Sequence, residues 1–121
     1  MSLKDYFEST AGTGILSTAN DRGQVNAAIY SRPHFLDDEV AFIMRDRLSH
    51  KNLESNPSAV YLFTEQSPEY QGKRLYMTKV REKKNSPLIE SLKRRKRDTD
   101  PSEDQFLVYF KIDRERPLIG G

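Results

Sequence analysis

The stretch Glu39 to Pro57, EVAFIMRDRLSHKNLESNP, constrains the fold more than any other part of the chain. Val40, Phe42 and Met44 alternate with Ala41, Ile43 and Arg45, and all but the last are apolar. That pattern belongs to a strand buried on both faces until it reaches a polar rim at Arg45. A short helix follows: Ser49 is placed to cap it, Leu48 and Leu53 fall at staple positions, and Asn56-Pro57 stops it. The first turn of a helix carries free N–H groups and partial positive charge, so acidic side chains normally collect there. Here it holds His50 and Lys51, with Arg45 and Arg47 just upstream and only Asp46 opposing them. Cations at the positive end of a helix break a local electrostatic rule, as sequences do where function outweighs stability. The simplest such function is an anion, above all a phosphate, held by backbone N–H groups, the Ser49 hydroxyl and the basic side chains. A solvated basic turn is the alternative reading.

The size of the chain sets the rest of the frame. Its 121 residues suffice for one domain with a single core, spanning 1–121. The absence of cysteine excludes disulfides, thiolate catalysis and thiolate metal sites. With only His34 and His50, a histidine-based zinc site is not expected. No apolar run approaches a membrane span, and the N-terminus has no leader-like pattern, so a cytoplasmic protein is expected. Between Lys73 and Arg97 there are eleven Lys or Arg and two Glu, a net +9, which leaves −7 elsewhere in a chain of net charge +2. That asymmetry suits either an acidic partner or a solvated basic helix.

In chain order, Ser2 to Thr10 reads as an amphipathic helix with Leu3, Tyr6 and Phe7 on one face. Strands are expected at Gly14 to Ala19 and Gln24 to Ser31, joined by the turn Asn20 to Gly23. Pro33 argues against an inner strand through Arg32-Pro33-His34. Ser58 to Thr64, Lys73 to Lys83 and Phe106 to Asp113 read as further strands. Ser86 to Arg97 reads as a helix capped by Ser86, with Leu88, Ile89 and Leu92 as its apolar side. The seven residues after it, ending at Asp104, read as a solvated loop, and the chain is expected to end loosely at Gly120-Gly121. Six strands with short flanking helices predict a mainly-β α+β fold, a small antiparallel barrel.

The order and spacing of these pieces resemble the pyridoxamine 5′-phosphate oxidase-like family. The matching residues are Gly14-Ile15-Leu16-Ser17-Thr18-Ala19, Asp21 and Gly23 in the first hairpin, then Arg45, Ser49, Lys51, Leu53, Asn56 and Pro57. They cover roughly the first two-thirds of the chain. The resemblance implies an FMN-binding split barrel with the flavin phosphate at the helix start, on Arg45, Ser49, His50 and Lys51. It places Met44 beside the ribityl chain or ring, and Ala28, Ile29, Tyr30, Ser31 and Arg32 along the isoalloxazine, with N–H groups of Tyr30 and Ser31 at its polar edge. Arg74 is implied at the pyrimidine end, and a homodimer with flavins in the interface grooves is implied for the assembly. The resemblance does not extend to the C-terminus. Oxidases of vitamin B6 phosphates grip substrate there with a tryptophan and an arginine, whereas this chain has no tryptophan and ends ERPLIGG. His50 also stands where the oxidase's phosphate motif has arginine.

No pair of carboxylates stands out as an acid/base couple, so any chemistry belongs to a cofactor. His34 after a proline reads as an exposed residue as readily as a proton donor. Tyr61, Phe63, Tyr109 and Phe110 read as core or interface. The expected function is an FMN-dependent oxidoreductase whose small-molecule substrate is unreadable. The rival is a non-enzymatic module using the basic 73–97 segment to contact nucleic acid or an acidic protein. Nucleic acid is disfavoured there, because the KRRKR run lacks interleaved aromatics.

Overall fold

The computed structural model describes residues 1–93 and 103–120. The first helix, α1 (Leu3–Ser9), starts where Ser2 Oγ accepts the Asp5 N–H at 3.1 Å, as its capping sequence requires. The strands β1 (Gly12–Ala19) and β2 (Val25–Ile29) form the expected hairpin. Asn20 Oδ1 closes its turn by accepting the Arg22 and Gln24 N–H groups, and Gly23 supplies a φ of 75°.

A third strand, β3 (His34–Leu36), was not expected, which raises the count from six to seven. The proline argument applies to an inner strand, and β3 is a three-residue edge with Pro33 outside it, so no ladder donor is missing. The organising strand β4 (Glu39–Arg45) is followed by α2 (Leu48–Ser55) and β5 (Ser58–Glu65). β6 (Gly72–Lys84), α3 (Leu88–Leu92) and β7 (Gln105–Pro117) complete the described elements.

All seven strands belong to one antiparallel sheet in the order β2-β1-β5-β6-β7-β4-β3. The sheet curls until its two ends meet. Tyr30, just past β2, packs edge-on against Phe42 of β4, and Phe7 touches Phe35 of β3, Tyr61 and Phe63 of β5. The inward-facing Leu16, Phe42, Met44, Tyr61, Phe63, Leu75, Met77, Val108 and Phe110 are each at most 2% exposed and form one continuous core. Each such side chain contributes about 1.5–3 kcal/mol by leaving water. Ala41, Leu107 and Tyr109 face the other side of the sheet, where Ile89 of α3 covers them. β4 is thus buried on both faces up to Arg45, as its sequence predicts.

Four details differ from the sequence reading. α2 begins one residue before Ser49, with Arg47 as its cap residue and no side-chain cap. Leu48 is 55% exposed, so it forms no staple over the buried Leu53. α3 spans five residues and Lys93 is already extended, while 94–97 lie outside the described residues. Ile89 is its buried residue, and Leu92 packs partly against the same cluster. The chain end is also tethered: Arg74 donates to the carbonyls of Pro117 (2.8 Å) and Gly120.

Candidate functional site

The curl of the sheet leaves a groove because β3 is short. β3 pairs with β4 only as far as His34 opposite Ala41, so from Phe42 to Arg45 β4 has no partner on that side. A cavity of about 880 Å³ runs along this open edge, walled across the gap by Gly14 and the segment Ile29 to Arg32. Tyr61 forms the floor. Its hydroxyl donates to the Tyr30 carbonyl at 3.1 Å, which fixes the chain as it leaves β2. Gly14 makes this possible: a Cβ there would lie 1.7 Å from the Tyr61 oxygen.

The start of α2 meets the groove through Tyr30. The Tyr30 hydroxyl is hydrogen-bonded to Ser49, and burial, the larger influence, raises its pKa above the ordinary tyrosine value. Ser49 is itself buried, with Asn26 Nδ2 donating to its Oγ at 3.4 Å. The first bond within the helix runs from Lys51 N–H to the Arg47 carbonyl at 2.9 Å. The N–H groups of Leu48, Ser49 and His50 precede it and have no intrahelical acceptor. The first turn holds no acidic residue. Lys51 is exposed, and its ammonium has no partner among the described residues.

One anion is already present nearby. Glu103 takes Arg45 on one oxygen and Arg47 on the other, the latter at 2.9 Å. Arg47 first and then Arg45 hold its carboxyl below the usual range against an opposing desolvation. The loop expected before β7 therefore contributes, one residue before its end, a carboxylate that pairs with both arginines. No sequence signal reveals this, since Glu103 stands 58 positions from Arg45.

Ile29, Tyr30, Ser31, Arg32, Met44 and Arg45 all line the groove. Ser49 joins them through Tyr30. Ala28 pairs with Leu16 inside the hairpin and is not part of the lining. The Tyr30 N–H is committed to the Gly14 carbonyl at 3.0 Å and cannot face a ligand. Arg32 donates to the Phe7 carbonyl at 2.7 Å, tying the rim to α1. Arg74 lies outside the groove, held by the chain end and by Tyr76.

His50 departs furthest from expectation. Its ring is 3% exposed and stacks on Phe106 with centroids 3.9 Å apart. Both nitrogens face carboxylates, Asp46 and Glu54 on one side and Glu82 on the other. The ring is unsuited to holding an anion, and only its backbone N–H points the charge argument's way. Spacing alone could not reveal this, because Glu82 arrives from β6.

No protein-family model matches the sequence, and no curated protein matches it significantly. Solved structures do match over nearly the whole chain. An FMN-binding protein from Syntrophomonas wolfei superposes with a TM-score of 0.73 at 19% identity, covering 95% of this chain and 82% of the other. This chain has the split-barrel fold. A protein from Lactobacillus delbrueckii assigned as a pyridoxamine 5′-phosphate oxidase gives a TM-score of 0.68 at 12% identity, with 96% and 93% covered. A heme-binding protein from Mycobacterium smegmatis gives 0.63 at 19% identity, covering 95% of this split barrel and 51% of its own chain. The likeness establishes the fold that the hairpin and helix-start residues had pointed to. Among the described residues no helix is long and apolar enough to cross a membrane.

Proposed function

We propose that this split barrel is an FMN-binding flavoprotein of the pyridoxamine 5′-phosphate oxidase-like family, an oxidoreductase acting on a small molecule. The observation that carries the reading is the start of α2: a helix N-terminus without acid or side-chain cap, flanked by cations, tied through the Ser49–Tyr30 hydrogen bond to a groove whose lining reaches Arg45. The donor set fits a phosphate monoester: the N–H groups of 48–50, the Ser49 hydroxyl and the uncommitted Lys51 ammonium. The groove volume falls within the usual range for a cofactor site, roughly 300–1,000 Å³. When bound, the flavin would supply the electron or hydride transfer.

The chain's own residues bind and orient. Tyr30, Phe42 and Met44 give the groove an apolar wall that would exclude water from a planar ring. Glu103 keeps the Arg45 and Arg47 guanidinium groups in place beside the helix start, while lowering the net positive charge that a phosphate meets. The positive charge at this site is thus partly offset, and Lys51 is the cation left open among the described residues. The S. wolfei neighbour, an FMN-binding protein, supports flavin as the ligand.

We further propose a homodimer with the flavin at its interface. Edge strand β2 exposes Val25 (81%) and Ile29 (76%), and Ile29 also lines the groove, so a partner covering that edge would close the site. The purified protein's visible spectrum tests the reading. A yellow protein releasing FMN on denaturation is expected. A colourless protein that takes up no added FMN would refute it, and a sharp heme band would instead favour the ligand named for the M. smegmatis neighbour.

A further inference from the structure

We propose that Lys93 selects a second ligand in the groove, a small organic anion carrying a carboxylate or a phosphate, as the substrate of this flavoprotein. The inference rests on the flavin reading above, which leaves the FMN phosphate at the start of α2. Every charged side chain that lines the groove among the described residues is basic: Arg32, Arg45 and Lys93. A cleft lined by one sign of charge concentrates ligands of the opposite sign, the more so where its walls are apolar. Phe42, Met44 and Tyr61 supply such walls here. The carboxylates that pair with Arg45 and Lys93, Glu103 and Glu90, lie outside the lining.

The fold carries Lys93 to the open edge of β4. By register Pro33 falls opposite Phe42, and with no N–H it cannot continue the ladder, so that edge stays open. On the outer face of the sheet, Leu92 at the end of α3 packs against the same cluster as Ile43. Lys93 follows directly in an extended conformation, its N–H donating to the Ile89 carbonyl at 3.2 Å. That bond fixes the point from which the side chain starts. The side chain joins Ile43, Arg45 and Gln105 in the groove wall and is only 16% exposed, an unusual burial for a lysine. The first cation of the basic run is thus part of the site rather than a solvated helix end.

The other cations have work elsewhere. Arg45 is held by Glu103, and Arg32 donates to the Phe7 carbonyl. Lys51 stands on α2, outside the groove lining, where the phosphate is proposed to bind. The partner of Lys93 is Glu90, three residues back on α3, at 3.0 Å and 72% exposed. Water screens such a pair, so an anion in the groove can take over the ammonium while Glu90 turns to solvent. An ammonium is a compact point charge with rotatable donors, and it meets an oxyanion from several directions. This suits an acid group on a small molecule whose remaining atoms lie along the apolar wall.

Titrating the FMN-loaded protein with benzoate, phenyl phosphate and the neutral benzamide tests this, read by the shift of the flavin's visible bands. At least one of the two anions should bind at least tenfold more tightly than benzamide, and the tighter of them identifies the acid group. Lys93→Gln should remove at least fivefold of that advantage while the Kd for FMN stays within twofold of the parent's. Lys93→Arg should keep the advantage, which separates lost charge from lost packing. If the protein takes up no FMN, the flavin reading fails on its own. Calorimetry with the same three probes on the flavin-free chain then tests Lys93, with the same advantage and the same loss expected. Benzamide binding as tightly as both anions overturns the proposal, and so does a parent that neither anion saturates at millimolar concentration. An advantage that Lys93→Gln leaves intact also overturns it, and if FMN affinity falls instead, Lys93 acts on the flavin.

Discussion

Replacing Lys51 with Ala separates a phosphate site from a merely basic turn. Lys51 is exposed and its ammonium is unpaired among the described residues, so its loss should leave folding within a few tenths of a kcal/mol. A hydrogen bond to a charged group contributes about 1.5–3 kcal/mol. At about 1.4 kcal/mol per tenfold, this corresponds to a loss of FMN affinity between about 10- and 150-fold. Solvent reaches the side chain and Glu103 already offsets two neighbouring guanidinium groups, so the lower end is expected, near tenfold. Quenching of flavin fluorescence on titration measures Kd directly. Riboflavin, which lacks the phosphate, supplies the control: it should bind the parent more weakly than FMN and be indifferent to the substitution. The reasoning fails if parent and variant bind FMN equally. It fails equally if riboflavin loses the same factor, since Lys51 would then act on the ring or on the fold.

Four further outcomes follow from the same geometry. Glu103→Gln frees Arg45 and Arg47 for the phosphate, so FMN should bind more tightly and with a steeper salt dependence; weaker binding would mean that Glu103 chiefly positions the arginines. Gly14→Ala forces the Tyr61 hydroxyl off the Tyr30 carbonyl and should cost about 1–3 kcal/mol in urea unfolding, whereas an unshifted midpoint would contradict the close approach. Burial is the largest influence on Glu82 and raises its pKa, yet Lys79 and then His50 bring it net below the ordinary value. A depressed folded pKa means stability that is complete above the unfolded value and lost as pH falls through the folded one. Urea midpoints should therefore drop as pH falls below the ordinary glutamate range, and Glu82→Gln should flatten that drop. Light scattering should give twice 14.0 kDa, and Val25→Glu on the exposed edge should yield a folded monomer; a parent that is monomeric while binding FMN tightly would place the whole site in one chain.

Much of this protein was legible as a string. The two-sided apolar alternation of Val40 to Met44 makes a buried strand, because each face must find a partner. Ser2, Asn20 and Gly23 satisfy local backbone groups within four residues, so helix start and hairpin follow from neighbours alone. The cations around Leu48 marked the helix start as an unusual one, and its first turn does hold no acidic residue. The tertiary structure decided what depended on contacts between distant segments. Ser49 turned inward to Asn26 and Tyr30 instead of capping. His50 went to Glu82 and Phe106, brought in from β6 and β7, and Glu103 crossed 58 positions to hold the arginines. Local periodicity records which face of an element is buried. It carries no record of which charge arrives opposite, because strand order and register choose that partner, and here they set β7 beside β4.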